Sequence, residues 1–332
     1  MHLWFSIARV ISVVMAAVWT APVRAAALAE GEPPVKALKI TVLSTMLAGN
    51  PLFKGIGEWG FAALVEVDGR RILFDTGLRP NTVQINAREL GIDLSDITDV
   101  VLSHHHPDHV GGLLTLRKGV TAKNPSALSR VHVANGIFWS RGKTAAGTEE
   151  NPALALKPAY EATGGVFVEH PKSAMIAPGV WLMAPIPRIY PEKNWGGSGT
   201  VESPAGTVED TVPEDAALVF DTTEGLVVLT GCGHAGAVNT LAYAREAIRP
   251  VPIHAAIGGF HLFANNDESL AWTAGKLREL GVAHLLAGHC TGIEASYRLR
   301  ELVGLKRQTA VVAAVGSYFE LGRGVEPLVL AK

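Results

Sequence analysis

Ser103-His104-His105-His106-Pro107-Asp108-His109 brings four potential metal ligands, His104, His106, Asp108 and His109, into six consecutive positions. The apolar run Val100-Val101-Leu102 before it reads as a short buried strand, and Val110-Gly111-Gly112-Leu113 after it as a glycine-rich helix start. Imidazole nitrogens and a carboxylate suit zinc, iron or manganese, and an open turn at a strand end lets residues of alternating direction converge on two adjacent points. Such a turn can hold two ions. With twelve histidines in 332 residues, composition alone rarely produces this spacing, so a merely solvated polar loop is the weaker reading. The chemistry implied is activation of water: a divalent ion lowers the pKa of its water toward ~7, and a second ion can hold a phosphoryl or carbonyl oxygen. Asp108 is placed to orient that water or accept its proton.

The elements that must position these residues alternate along the chain. Residues 61–67 and 70–74 flank Asp68-Gly69, a strong hairpin signal, and the hairpin ends at Asp75. Residues 81–90 have helical spacing and stop at Gly91; 98–102 form the strand feeding the histidines, and 130–134 another strand. Residues 140–160 and 188–213 are rich in Gly, Pro, Ser and Thr without a period, and read as lid loops walling a substrate site or as surface insertions. Tyr190 and Trp195 there would floor a pocket or pin the loop. In the second half, 216–220 and 226–230 flank Thr223-Glu224-Gly225 as a second hairpin leading into Gly231-Cys232-Gly233-His234. A helix over 236–248, a strand over 253–257 ending at Gly258-Gly259-Phe260-His261, a helix over 267–280 and a strand over 284–287 ending at Gly288-His289 follow. Segments 293–303 and 310–315 complete the series. Every candidate ligand lies just after a predicted strand.

A content of 48% hydrophobic and 18% charged residues indicates a globular chain, and a net charge of −2 leaves no electrostatic footprint for nucleic acid or anionic membrane. A small-molecule partner is expected; oligomeric state is not readable. Residues 1–27 read as a secretory signal, with Arg9, an apolar core over 10–19 and small residues allowing cleavage after Ala25 or Ala27. An uncleaved anchor is the alternative, but the core is shorter than the ~20 residues a span needs. The expectation is a periplasmic or secreted protein with no stable membrane association after cleavage, its single domain covering 36–332. The two cysteines, Cys232 and Cys290, then invite a disulfide, although each sits beside a candidate ligand and a role at the metals competes.

The histidine loop resembles the metal-binding signature of the metallo-β-lactamase-fold superfamily. Ile72-Leu73-Phe74-Asp75-Thr76-Gly77 resembles its strand-Asp-Thr-Gly element. Gly231-Cys232-Gly233-His234-Ala235-Gly236 and Gly288-His289-Cys290-Thr291-Gly292 are similar to a narrower branch, the metal-dependent hydrolases related to dihydropterin-ribofuranosylaminobenzene phosphate synthases. The likeness runs from about Ile40 to about Phe319. Pattern alone gives an α/β protein; the resemblance implies a four-layer α/β/β/α sandwich of two mixed sheets flanked by helices.

It further implies His104 and His106 on one metal, and Asp108, His109 and His289 on the other. No histidine lies between His170 and His234, so His234 is the expected third ligand of the first metal. Where the superfamily has a bridging aspartate, Thr230-Gly231-Cys232 stands here; Cys232 either replaces it or supports the ligands from behind. A thiolate favours Zn2+, one or two ions, with Mn2+ or Fe2+ as alternatives. Asp75 is expected to orient a metal-bound histidine or to cap its turn, and His261 to act on substrate as an acid or base or to be a turn residue. His105 is set aside as pointing away, and His2, His132, His170, His254 and His284 as satisfied or exposed. The function expected is an exported metal-dependent hydrolase of a small ester, amide, lactone or phosphoester. The alternatives are a synthase-like transferase joining a phosphorylated ribose to an aminobenzoate, for whose phosphate Arg188 and Lys193 would serve, and a non-catalytic or redox metal-binding protein.

Overall fold

In the computed structural model, residues 31–50, 52–192, 194 and 199–331 are described; residues 1–27, read above as a secretory signal, together with Lys193 and Trp195, lie outside them. The first half runs β1 (Leu38–Ser44), β2 (Ala62–Val67), β3 (Arg70–Phe74), α1 (Thr82–Glu89), β4 (Asp99–Val101) and α2 (Pro107–Val110). It continues with α3 (Leu113–Thr121), β5 (Arg130–Ala134), α4 (Pro152–Glu161) and β6 (Val166–His170). The second half runs β7 (Ala174–Ala177), β8 (Val180–Met183), β9 (Thr200–Ser203), β10 (Gly206–Glu209), β11 (Ala217–Thr222), β12 (Gly225–Thr230) and α5 (Ala237–Ala247). Then come β13 (Ile253–Gly258), α6 (Asp267–Glu279), β14 (His284–Ala287), α7 (Ile293–Val303), β15 (Ala310–Val312), β16 (Tyr318–Glu320) and β17 (Gly324–Glu326).

Local chemistry sets these bounds. The β2–β3 turn has both Asp68 and Gly69 at positive φ, 42° and 80°, the conformation that keeps a two-residue hairpin in step with strand twist. Asn266 caps α6 by accepting from Ser269 N at 2.9 Å, with Asp267 and Glu268 in the first turn where the helix dipole favours them.

The strands form two large mixed sheets, ordered β17-β16-β1-β2-β3-β4-β5-β6 and β15-β14-β13-β12-β11-β8-β7. Between them lies an apolar layer including Phe61, Phe74, Leu218, Phe220, Leu229 and Phe319, all fully buried. Full burial of such a side chain contributes ~1.5–3 kcal/mol, which offsets the cost of the polar groups gathered at the sheet ends. Leu113, Leu116 and Tyr160 of α3 and α4 cover the outer face of the first sheet; Leu241, Leu277 and Leu299 of α5, α6 and α7 cover that of the second. The result is a four-layer α/β/β/α sandwich. Within it β3 is parallel to β4, and β12, β13 and β14 are parallel to one another, so their carboxyl ends share one edge of each sheet. Asp75, the histidine turn, Cys232, His261 and His289 all leave those ends.

Two expectations need correction. The segment read as the lid loop 140–160 contains α4, capped by Asn151, which accepts from Ala153 N and Leu154 N at 2.9 and 3.2 Å, with Pro152 at its first position. The segment 188–213 is not structureless either, because β9 and β10 pair as a small antiparallel hairpin. Among the described residues, no helix is long and apolar enough to cross a membrane.

Candidate metal centre

Asp75 is the hub from which the centre is built. Its Oδ2 accepts from His109 Nδ1 and from Ser103 Oγ, each at 2.7 Å, while its Oδ1 accepts from Ser103 N at 2.7 Å. Ser103 Oγ in turn accepts from His104 Nδ1 at 2.9 Å. Both rings thereby have their Nδ1 donating, which turns Nε2 of His104 and of His109 toward the place a cation would take. This packing requires glycine at 231: a Cβ there would stand 2.1 Å from Ser103 Oγ and 2.7 Å from Asp75 Oδ2.

The donors collect in two groups. Asp108, His109, Cys232 and His289 have ligand atoms within 4.8 Å of one another, and so do His104, Cys232 and His234. Cys232 Sγ is the shared point, 3.1 Å from His109 Nε2 and 3.3 Å from His289 Nε2. Asp108 Oδ2 lies 3.2 Å from His289 Nε2. His106 joins the His104–His234 group through Nδ1, 3.0 Å from His104 Nε2. All the residues anticipated as ligands therefore meet at one place.

The chemistry of this donor set suits a divalent cation. His234 Nδ1 donates to the Asn194 carbonyl at 2.6 Å, and its Nε2 is buried with no hydrogen-bond partner. A bare lone pair in a buried site costs ~1–3 kcal/mol unless something accepts it, and a metal ion is such a partner. Burial, reinforced by neighbouring imidazoles, pushes His104 and His234 well below the ordinary histidine range and His106 down to about 3, so these rings stay neutral and able to ligate. Burial opposes charge on His109 too, but the Asp108 and Asp75 carboxylates outweigh it and raise His109 to about 9, so its Nε2 carries a proton that a bound cation displaces. Asp108 would be pushed up by burial, yet His109, His289 and His106 hold it below the carboxylate range. Burial and the adjacent Cys290 push the Cys232 thiol up, a proton that a bound cation displaces.

Three side chains here sit on backbone that ordinary residues avoid: Asp75, His261 and His289 have φ of 54°, 49° and 48°. His261 faces the group containing His104 and His234, its ring 4.6 Å from that of His234, and its Nδ1 is buried without a partner. Cys290 lies with Cys232 and His261 in a third set of atoms within 4.8 Å, and both sulfurs are free thiols rather than a disulfide.

Several residues were not anticipated. His105 does turn from the donors, but to a specific end: its Nδ1 lies 2.6 Å from Glu214 Oε1, and Arg141 Nη2 donates to Glu214 Oε2 at 2.7 Å. Burial would raise the Glu214 carboxyl, but His105 and Arg141 hold it down at about 2. Arg141 also donates to Asp210 at 3.0 Å, tying both loop segments over the histidine turn. The Arg188 guanidinium donates to the carbonyls of His234, Thr211 and Val212 and straps the loop to the site. Tyr190 pins the loop, its N donating to Asn239 and its ring lying 6.1 Å from Trp272. Of the remaining histidines, His132 pairs with His170 and Asp99, and His254 with Glu224. The role of Asp75 toward a histidine was expected from its strand-Asp-Thr-Gly element, whereas the link through Ser103 to His104 was not.

Comparison with known proteins gives concordant matches. A family model described as the metallo-beta-lactamase superfamily matches residues 60–248. The chain is 30% identical over 280 residues to the 7,8-dihydropterin-6-methyl-4-(beta-D-ribofuranosyl)-aminobenzene-5'-phosphate synthase of Methanocaldococcus jannaschii, covering 80% of this chain and 91% of that protein. It is similar to the crystal structure of Tm1679, described as a metal-dependent hydrolase of the beta-lactamase superfamily, with a TM-score of 0.67, 30% identity and coverage of 86% of this chain and 99% of that one. A diphosphatase of the PhnP family shares the fold at 16% identity and a TM-score of 0.50, with 86% and 98% of the two chains covered.

Proposed function

The chain belongs to the metallo-beta-lactamase superfamily, and from that premise we propose that it is a metal-dependent hydrolase of a small ester, amide, lactone or phosphoester. The observation that carries the reading is the pair of donor groups meeting at Cys232 Sγ. His104, His106 and His234 would hold one divalent ion and Asp108, His109 and His289 the other, with Cys232 between them; zinc suits this mixture of imidazole and thiolate. When bound, such ions supply a Lewis acid and an acidified water. The chain's own part is to aim and move protons. Asp75 and Ser103 fix the tautomers of His109 and His104, Asp108 accepts a proton at the reacting centre, and His261, beside His234, returns one to the leaving group. The partner in this reading is a small molecule. The first 27 residues add export to the periplasm or outside the cell, which N-terminal sequencing of protein from the native cell tests.

Metal analysis after chelator-free purification, then assay against chromogenic esters, lactones and phosphodiesters, tests the main reading. A chain with two ions that cleaves one of these, and loses one ion together with turnover in His104→Ala/His106→Ala, is the expected result; a metal-free active protein refutes it. The second reading is synthase-like transfer joining a phosphorylated ribose to an aminobenzoate, favoured by the 30% identity to the archaeal synthase. A condensed product in place of hydrolysis would select it.

A further inference from the structure

Two large apolar side chains at the rim of the metal centre stand open to solvent. Trp59 is 44% exposed and Phe263 53% exposed, whereas their neighbours Phe61 and Phe260 are buried. Their ring centroids are 5.6 Å apart and their planes cross at 82°. Each also touches the donor site: the Trp59 ring lies 5.0 Å from the His289 ring, and the Phe263 ring 5.3 Å from that of His261.

Both are held by fixed backbone. Trp59 follows Glu58, whose carboxylate accepts from Ser44 Oγ, Leu78 N, Arg79 N and Thr82 Oγ1 at 2.8–3.0 Å. Phe263 N and Leu262 N both donate to the Cys290 carbonyl, at 3.2 and 3.0 Å, which fastens this turn to the residue after His289. Exposed apolar surface at a reaction site marks a contact with ligand when packing does not require it. Two rigid rings at right angles make a corner in which a third flat ring stacks on one and meets the edge of the other, an arrangement favoured by the aromatic quadrupole. An alkyl chain in the same corner gains buried area alone.

We propose that Trp59 and Phe263 form a binding subsite for a planar aromatic ring of the substrate, seating the scissile or forming bond beside His289 and His261. This rests on the donor site being the reaction centre. The test uses 6-methylpterin as probe, its own fluorescence reporting binding, on metal-loaded and on chelator-treated protein, with octanoate as the aliphatic competitor. Trp59→Leu and Phe263→Leu should each weaken pterin binding by about 5- to 100-fold, the range for loss of one stacking partner. Val166→Ala, at an exposed apolar side chain on the amino end of β6 and so at the opposite end of its sheet from the centre, should leave it unchanged. Melting temperatures of the variants confirm folding. Wild-type protein that does not bind the pterin, unchanged affinity in both rim variants, or octanoate displacing the pterin at equal concentration would each overturn the proposal. Metal content of protein offered metal separates the two ideas: ring binding by a protein that takes up no metal sinks the hydrolase reading alone, and metal uptake without ring binding sinks the subsite alone.

Discussion

Asp75 accepts from His109 Nδ1 at 2.7 Å and, through Ser103 Oγ, also supports His104, so one carboxylate orients a donor in each group. Asp75→Ala should therefore lower metal affinity at both positions together, by ~10–100-fold, the usual cost of losing a residue that orients a ligand. Competition with a zinc indicator reads this directly. Two unchanged affinities would leave Asp75 as a turn residue only.

Cys232 is the atom common to both groups, whereas His234 belongs to one. Cys232→Ser should weaken both ions, and His234→Ala only one, leaving about half the metal. Mass-spectrometric metal content after dialysis distinguishes the patterns, and a Cys232→Ser protein holding its full metal complement would count against the shared thiolate.

Asp108→Asn keeps the shape but removes the charge. A general base contributes ~10²–10⁴-fold in rate, and a loss of that size is expected on whichever substrate the panel identifies. Sequence reasoning treated the turn as open, in which case folding would be indifferent to this change. The Asp108 side chain is in fact only 12% exposed and faces His289, so losing a charge-assisted contact should also cost ~1–3 kcal/mol in chemical denaturation. Wild-type turnover with both metals retained would remove Asp108 from the mechanism.

Away from the centre, burial and the stacked His254 ring lower the His284 pKa from 6.5 to about 4. Between those values the unfolded chain binds a proton that the folded chain refuses. The associated stability is present above pH 6.5 and drains away as the pH falls toward 4. His284→Gln should flatten that part of the profile, checked by melting temperature against pH for both proteins. Parallel curves would show that His284 titrates normally.

The donor loop, its strand and the later Gly-His turns were legible because chemistry and periodicity coincide there: an apolar run of three or four residues stops, and a ligand follows. The fold class came from the same alternation joined to the family resemblance. Glu214 was not legible, because its partner His105 lies 109 positions away and they meet only once the loop between β10 and β11 closes over the histidine turn. Helix α4 was hidden by Pro158 inside it and by burying only Ala153 and Tyr160, too sparse a face to print a 3.6-residue period, though Asn151-Pro152 was a usable start signal. The strands β7 and β16 are three or four residues long, below the length at which alternation can be distinguished from chance.

The left-handed backbone at Asp75, His261 and His289 carries a consequence for descent as well as for chemistry. Glycine tolerates that conformation freely, asparagine, aspartate and histidine tolerate it better than other residues, and alanine does not. A lineage that kept the sandwich but abandoned catalysis would drift at these positions chiefly among glycine, asparagine, aspartate and histidine. Whether such a position holds a protonatable or ligating side chain, or merely a permissive one, is thus a marker in any related chain for whether the chemistry is still under selection, separate from whether the fold is.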